Sequence, residues 1–303
     1  MRSSSLWKRI WKHKMFYLFM LPGIVWFFLF SYVPLFGIQV AFRDYTFSGG
    51  FTGSPWAGWK YFQQFFTYYR SDEIIRNTIV ISFLKLAFGF PLPIILAILL
   101  NEVRHLKFKK VVQTLSYLPY FVSWIVVVTL MQRLLTPYGG PVNELLGLFG
   151  IGPIQFLNNP TWFYQVIVGS DVWKNIGWNS IIYMAAIASI DPQLYEAAKI
   201  DGANRFRQIW HVTLPGIRNV AIILFILAVG NLMSAGYEQL LLLNGPATAK
   251  IGSVLDVHVI ESGISGGRLS YAAAVGLFQS VIGLILILTV NRIARKVSEI
   301  SLF

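Results

Sequence analysis

The sequence predicts an all-α, polytopic membrane protein with six transmembrane helices and one polar loop that forms two short helices. Three observations predict this fold class. Of the 303 residues, 55% are apolar and only 13% are charged. The mean hydropathy is +0.60. Long apolar segments alternate with polar ones, and lysine and arginine are concentrated in every second polar segment. This combination is typical of a chain that crosses a bilayer repeatedly.

Each apolar segment is long enough to cross the hydrocarbon core, which takes about 20 residues in a helix. The predicted spans are 15–42, 74–101, 111–135, 162–189, 218–243 and 271–294. Span one has the position of a signal peptide, but Pro22 and the aromatic residues after it leave no short apolar core with a small-residue cleavage site. We therefore interpret it as an uncleaved span. Pro91 and Pro93 predict a kink in span two.

The positive residues predict the orientation. Most of the 25 lysines and arginines precede span one, follow span six, or lie between spans two and three and between spans four and five. Cytoplasmic segments carry such an excess, so both termini are expected to be cytoplasmic. The same asymmetry, together with anionic lipid head groups, accounts for the net charge of +12, and no nucleic-acid partner is expected.

The composition gives no sign of an enzyme. The chain has no cysteine and only four scattered histidines, so neither a thiol centre nor a metal site is expected. The segment from Gly245 to Lys250 is too short for a phosphate-binding loop and lacks its second glycine. We therefore expect no catalytic residue and no cofactor bound by this chain.

The polar loop 191–216 carries the most specific motif. Asp191 and Pro192 suit the start of a short helix, and Gly202 suits its end because glycine adopts the left-handed conformation readily. A second short helix is predicted at about 204–211, with Pro215 ending it. The bent pair would present an apolar face to a protein socket; the alternative is a helix that lies flat on the bilayer.

This motif resembles the EAA signature of ABC-importer permeases. Glu-Ala-Ala is followed after three residues by Gly, after nine more by an aliphatic residue, here Val212, and then by one residue and Leu-Pro. The resemblance implies a coupling-helix loop that contacts an ATPase. Its expected coupling residues are Glu196, Ala197, Ala198, Asp201, Gly202, Arg205, Leu214 and Pro215.

Nearly the whole chain resembles the carbohydrate-uptake branch of these permeases, the maltose-permease-like and LplB-like subunits. The resemblance implies a second homologous permease, two cytosolic ATPase subunits that bind the ATP, and an extracytoplasmic solute-binding protein that delivers a sugar. It also implies a multi-pass protein of the bacterial plasma membrane, in contact with its lipids. In that branch, spans matching three, four and five contact the sugar.

Polar groups at membrane depth are costly and need a reason. Counted at 1.5 Å per residue, spans three, four and five place such groups at matching heights. The candidate substrate-binding residues are Ser123, Asp171, Asn175, Trp178, Asn231 and Glu238. The resemblance also points to Ala235, and Asp171, Trp178, Asn231 and Ala235 differ from the residue types of the maltose-specific subunit, so a different sugar is expected.

Several alternatives remain open at this point. The polar residues would also serve as contacts between helices, with Asp171 neutralised by Lys174. Lys85 would either extend towards the membrane surface or pair with an acid across the bundle.

At the level of function, the rivals are an ABC permease for an amino acid or peptide, an ion-coupled secondary transporter and a structural scaffold. The aromatic stretch 43–73 suits either an interfacial belt or a docking surface, and 136–161 suits a structured loop with one helix at about 142–149.

Overall fold

The computed structural model describes residues 11–298, with side chains up to residue 296, and helices make up most of this part. The α-helices are α1 (Lys14–Phe27), α2 (Gly50–Gly53), α3 (Lys60–Phe66), α4 (Ser71–Gly89), α5 (Pro91–Glu102), α6 (Leu106–Tyr117), α7 (Trp124–Leu134), α8 (Pro141–Leu148), α9 (Pro160–Ala188), α10 (Pro192–Ile200), α11 (Arg205–Gln208), α12 (Leu214–Gly230), α13 (Tyr237–Leu243), α14 (Ala249–Gly252), α15 (Leu255–Ile260) and α16 (Leu269–Ser298). Within residues 11–298 the only extended pairing is an isolated bridge between Arg43 and Trp56. The all-α prediction is confirmed. Three of the positive residues that predict the orientation, Arg2, Lys8 and Arg9, lie outside the described residues.

Length and composition support four membrane-crossing helices among the described residues. They are Lys14–Phe42, Ser71–Glu102, Arg205–Gly230 and Leu269–Lys296, and a bent pair of helices at 106–134 supplies a fifth if it counts as one span. Helix α9 is long enough, but its polar residues keep it outside this set. The division into six spans therefore stays a prediction.

Helix α9 is the centre of the bundle and packs against α4, α5, α6 and α12. Its approach to α6 is so close that a Cβ at Gly177 would overlap the carbonyl oxygen of Ser116. Small residues permit such contacts between membrane helices. Apolar residues of α5, α9 and α12, including Ala97, Tyr183 and Ile217, fill one of the buried clusters.

Span three was predicted as one straight helix over 111–135, and the structure corrects this. The chain leaves α6 through a 3₁₀ turn, Leu118–Phe121, and α7 begins after an extended Val122 and Ser123. The chain direction bends by 106° between the two halves. Lys174 of α9 donates to the carbonyl oxygens of Pro119, Tyr120 and Val122, which satisfies backbone groups that the bend frees.

Span five was predicted over 218–243, and its helix begins earlier and ends earlier. A continuous helical path runs from Arg205 to Gly230, and α13 resumes only at Tyr237. Pro215 does not end the second loop helix as predicted, because a π-helical turn at Ile209–Thr213 precedes it and absorbs the irregular hydrogen bonding near a proline.

Span one has little contact with the rest of the bundle. No residue of α1 is buried, and its continuation Val33–Phe42 packs on α16. Pro22 lies inside α1, and a π-helical turn at Phe28–Tyr32 follows. The apolar surface of α1 is therefore left for lipid or for another subunit.

The connecting segments at the end of the bundle opposite loop 191–216 are ordered by side-chain hydrogen bonds. Arg70 donates to the carbonyl oxygen of Ala249, and the amide of Asn77 donates to those of Lys250 and Ser253. In the aromatic stretch, Trp56 and Trp59 remain about two-thirds exposed. Both interpretations of that stretch, belt and docking surface, therefore remain. Helix α8 matches the helix predicted at 142–149.

Candidate functional site

The loop 191–216 forms a helix, a tight turn and a second helix, as its sequence predicts. Asp191 caps α10, with its carboxylate accepting from the Gln193 backbone N–H at 2.9 Å. At the other end Gly202 has φ +75°. Its N–H bonds the Lys199 carbonyl, and the N–H of Ala203 bonds that of Ala198. These two bonds are the Schellman arrangement, which closes a helix at a left-handed glycine.

Two further contacts hold the loop in place. Arg205 donates to Glu102, at the end of α5, with Nη1 and Oε2 2.6 Å apart. The hydroxyls of Tyr195 and Thr213 lie 3.0 Å apart and join the two limbs of the loop. Arg205 was predicted as a coupling residue; here its side chain, 56% exposed, also ties the loop to span two.

Of the other predicted coupling residues, some are exposed on the loop and two lie where the loop joins span five. Glu196, Ala197 and Asp201 are exposed, Ala198 is half-buried, and Leu214 and Pro215 begin α12. Large apolar side chains accompany them at the surface: Leu194 is 54% exposed, Ile200 86%, Phe206 75% and Trp210 61%. A surface of this kind, next to polar residues, is typical of a protein contact site.

A second candidate site is a cavity of about 330 Å³ between α4, α5, α9 and α12. Its polar lining comes from Ser82, Lys85, Asp171, Asn179, Asn231 and Ser234. Two of these, Asp171 and Asn231, were predicted as substrate-binding residues. The volume lies within the range of small-molecule sites.

An ion pair joins three helices at this cavity. Lys85 Nζ lies 3.3 Å from Asp171 Oδ1, and the two side chains are 13% and 22% exposed. The same ammonium donates to the Ala235 carbonyl at 2.8 Å and to Gln239 Oε1 at 2.6 Å. Gln239 in turn donates to the Ile167 carbonyl of α9. Lys85 therefore pairs with an acid across the bundle, which is one of the two alternatives predicted for it. Asp171 pairs with Lys85 and not with Lys174.

The break in span five, residues 231–236, lies at one wall of the cavity. Gly236 has φ +88°, and its N–H donates to Asp256 of α15 at 3.1 Å. Gln279 of α16 donates to the Met233 carbonyl at 2.9 Å and also to Asp256. With Lys85 on the Ala235 carbonyl, side chains from three other helices satisfy the backbone of the break, as irregular backbone at membrane depth requires.

The remaining predicted substrate residues lie outside the cavity lining. Ser123 caps the first turn of α7, accepting from the Val126 N–H. Asn175 donates to the Asp171 carbonyl within α9. Trp178 stacks on Tyr120, with ring centroids 4.4 Å apart. Glu238 accepts from the Tyr237 hydroxyl.

Asn231, Ser234 and Glu238 do not share one helical face as predicted, because the helix ends at Gly230. Asn231 instead donates to the Leu227 carbonyl at the end of α12.

Sequence reasoning missed Gln239, Asp256 and Gln279 as groups that hold the break, and for Lys85 it left open whether the side chain extends to the membrane surface or pairs with an acid. The only local signal was the isolated positive charge of Lys85 inside an apolar span. Asp256 and Gln279 bond residues of the break that lie 20 and 46 positions away in the chain, and no spacing in the sequence relates them to it.

The comparisons with known proteins agree on one family. The profile of the family described as "Binding-protein-dependent transport system inner membrane component" matches residues 89–299. The chain is 46% identical over 292 residues to the polygalacturonan/rhamnogalacturonan transport system permease protein YteP of Bacillus subtilis strain 168, covering 96% of this chain and 91% of YteP. It is 42% identical to the protein LplB of the same strain, covering 96% of this chain and 92% of LplB.

A solved structure is also similar to the fold described above. It is a bacterial alginate ABC transporter in complex with an alginate pentasaccharide-bound periplasmic protein. One of its chains is 36% identical to this chain, with a TM-score of 0.89 over 99% of this chain and 100% of that one.

Proposed function

The chain belongs to the binding-protein-dependent transport system inner membrane components, and we propose that it is the membrane subunit through which an ATP-driven importer moves an oligosaccharide into the cytoplasm. The observation that carries this proposal is the loop 191–216. It is a pair of helices that is tied to span two by Arg205 and Glu102, runs directly into span five, and exposes an apolar surface together with Glu196. Such a loop can pass motion from an ATPase to the spans.

The partners follow from this role. We propose a second, homologous permease, two cytosolic ATPase subunits that bind the ATP and an extracytoplasmic binding protein. One relative was solved with its sugar-loaded periplasmic protein, which supports the last of these. Loop 191–216 would then be cytoplasmic, and with it both termini, as the positive residues predict.

The cavity supports an oligosaccharide as substrate. Its hydroxyl and amide groups both donate and accept hydrogen bonds, as sugar hydroxyls do, and its one ion pair is internally balanced. YteP and the alginate transporter are named for acidic polysaccharides. An ion-coupled secondary transporter is less favoured, because Asp171 is already paired with Lys85 and is not a free carboxylate for a coupling ion.

Reconstitution tests the proposal. The complex that co-purifies with this chain is placed in proteoliposomes with its binding protein, and uptake of tetragalacturonate, its neutral methyl ester and alginate tetrasaccharide is measured with and without ATP. We expect ATP-dependent uptake of at least one of these sugars. A complex without an ATPase subunit, or uptake that does not depend on ATP, would contradict the proposal of an ATP-driven importer. Import of an amino acid or peptide alone would contradict the proposal that the substrate is a sugar.

Glu196→Lys should weaken binding of the ATPase subunits. The side chain lies on the exposed face of α10, so a reversed charge changes the contact surface without disturbing the bundle. We expect less ATPase to co-purify with an unchanged amount of permease in the membrane. Lys199→Glu, a charge reversal on the same short helix, is the control for position. Equal ATPase recovery with Glu196→Lys and wild type would remove Glu196 from the contact.

Asn231→Leu should lower uptake, and Asn175→Leu should not. Both substitutions replace an amide by an apolar group of similar size, but only Asn231 lines the cavity. Loss of one substrate hydrogen bond is worth about 0.5–1.5 kcal/mol, so KM should rise roughly 2- to 10-fold. Uptake kinetics at equal expression measure this, and a larger defect in Asn175→Leu would contradict the assignment of the cavity.

A further inference from the structure

A second polar cleft lies at the end of the bundle opposite loop 191–216. It has a volume of about 480 Å³ and is lined by the end of α7, the segment before α9 and the end of α13. Its hydrogen-bonding side chains are Gln132, Thr136, Gln155, Asn158 and Asn244, with Phe156 beside them. None of the lining residues is charged. This cleft shares no residue with the cavity at Lys85 and Asp171.

The walls of the cleft are held in place by buried groups. Asn143 is 6% exposed. Its side chain bonds the carbonyl oxygens of Leu135, Thr136 and Ile154 and accepts from the Ile154 N–H. On the other side, Thr248, 1% exposed, accepts from the Gly245 N–H and donates to Asn244. Beneath both, Leu157 and Leu243 belong to a buried apolar cluster. The cleft is therefore preformed, as binding sites for small molecules usually are.

Its free hydrogen-bonding groups are amides that the rest of the described chain leaves without a partner. Within residues 11–296, no protein group bonds the side-chain amides of Gln132, Gln155 and Asn158. An amide offers donors and acceptors together, which matches a ring of hydroxyls. A carboxylate, by contrast, is usually met by arginine or lysine, and this lining has neither. Phe156, held edge-on against Trp162 with ring centroids 5.4 Å apart, adds an aromatic surface for the C–H groups of a sugar ring.

We propose that this cleft is an outer saccharide subsite that binds an uncharged sugar ring of the oligosaccharide before it enters the inner cavity. The inference rests on the proposed function, and it adds a second site and a chemical preference. Helix α13 connects the break at the inner cavity to the cleft. Its 7 residues span about 10 Å, so the two sites lie close together along the bundle.

The absence of cysteine from the chain makes a direct test possible. Gln155→Cys places a single thiol in the cleft of the whole importer complex in proteoliposomes, and the rate of its reaction with a maleimide is measured with binding protein and ATP present. The probes are tetragalacturonate and its fully methyl-esterified, neutral form. The control is Tyr69→Cys, at a side chain that is 85% exposed at the same end of the bundle. Slower labelling at this position would show that the docked binding protein itself shields that end of the bundle.

We expect the neutral probe to slow labelling at position 155 but not at position 69, and the acidic probe to do so less. In a complex that carries neither cysteine substitution, Gln155→Leu with Asn158→Leu should raise KM for the neutral tetrasaccharide by roughly 3- to 10-fold, the loss of one or two hydrogen bonds. The control Gln64→Leu, an exposed amide of α3, should leave KM unchanged.

The failures of the two proposals are distinguishable. The complex could import the neutral probe while the labelling rate at position 155 and the KM of the double variant stay at control values. In that case the cleft is not a subsite, and the proposal of a sugar importer is retained. Equal protection by both probes would overturn the preference for an uncharged ring. If the wild-type complex imports neither probe nor any other sugar, the proposed function fails and this inference with it.

Discussion

Gly202→Val is expected to abolish ATP-driven uptake while the protein still reaches the membrane. Gly202 has φ +75° and closes α10, and a valine in that conformation is strained. Left-handed backbone costs an L-residue about 1–2 kcal/mol, and more if it is β-branched. That energy favours rearrangement of the turn by roughly 5- to 30-fold. Because the turn sets the angle between α10 and α11, the ATPase would still hydrolyse ATP but its motion would not reach the spans.

Two matched variants separate conformation from bulk. No atom lies within 4 Å of a Cβ at position 202, so crowding within the chain plays no part. Gly202→Asn should retain much more uptake, because asparagine tolerates the left-handed region. Gly267→Val places the same strain, φ +65° with free space around it, at a turn far from the loop, and should leave the ratio of transport to hydrolysis unchanged. If Gly202→Val transports at the wild-type ratio, the turn is not the coupling element.

The accuracy of the predictions from sequence depends on whether the signal is local. Asp191 and Gly202 bond residues two and three positions away, Pro192 begins the helix, and the structure has all three as predicted. The break at Asn231–Gly236 has no proline, and an apolar run continues on both sides. It exists because Lys85, Asp256 and Gln279 satisfy its backbone from distant helices. Counting residues along an assumed straight helix therefore could not give the orientation of Ser234 and Glu238.

The same distinction explains the substrate residues. Spacing correctly placed Asp171 and Asn175 on neighbouring turns of α9, but the amide of Asn175 bonds the Asp171 carbonyl and does not line the cavity. Trp178 was predicted to stack on a sugar, and Tyr120 from the bend in span three covers one of its faces. Both outcomes depend on tertiary contacts, which determine what a polar or aromatic side chain on a helix face bonds to.

Lys85→Met is expected to be the most damaging single substitution in the cavity. It leaves Asp171 without its ion pair, and it removes the donor to the Ala235 carbonyl and to Gln239. Removing one partner of a fully buried pair costs about 3–5 kcal/mol, and this pair, with side chains 13% and 22% exposed at a cavity, should cost somewhat less. Methionine itself suits an apolar span. We expect a lower melting temperature in detergent and a loss of uptake, because the break in span five loses its tie to spans two and four.

The loss of stability in Lys85→Met should depend on the burial of the ion pair, and an exposed ion pair in the same chain provides the comparison. Lys60 and Asp44 are closer together, at 2.7 Å, but their side chains are 58% and 39% exposed. Exposed pairs contribute little to stability because water screens them, so Lys60→Met should leave both stability and uptake nearly unchanged. Lys85→Met combined with Asp171→Leu removes the whole pair and should recover most of the stability, since a buried pair replaced by apolar residues is often neutral. Uptake should not recover with it, because the Ala235 carbonyl still lacks its donor. Full recovery of uptake in the double variant would mean that Lys85 serves only to neutralise Asp171 and that the break is held by Asp256 and Gln279 alone.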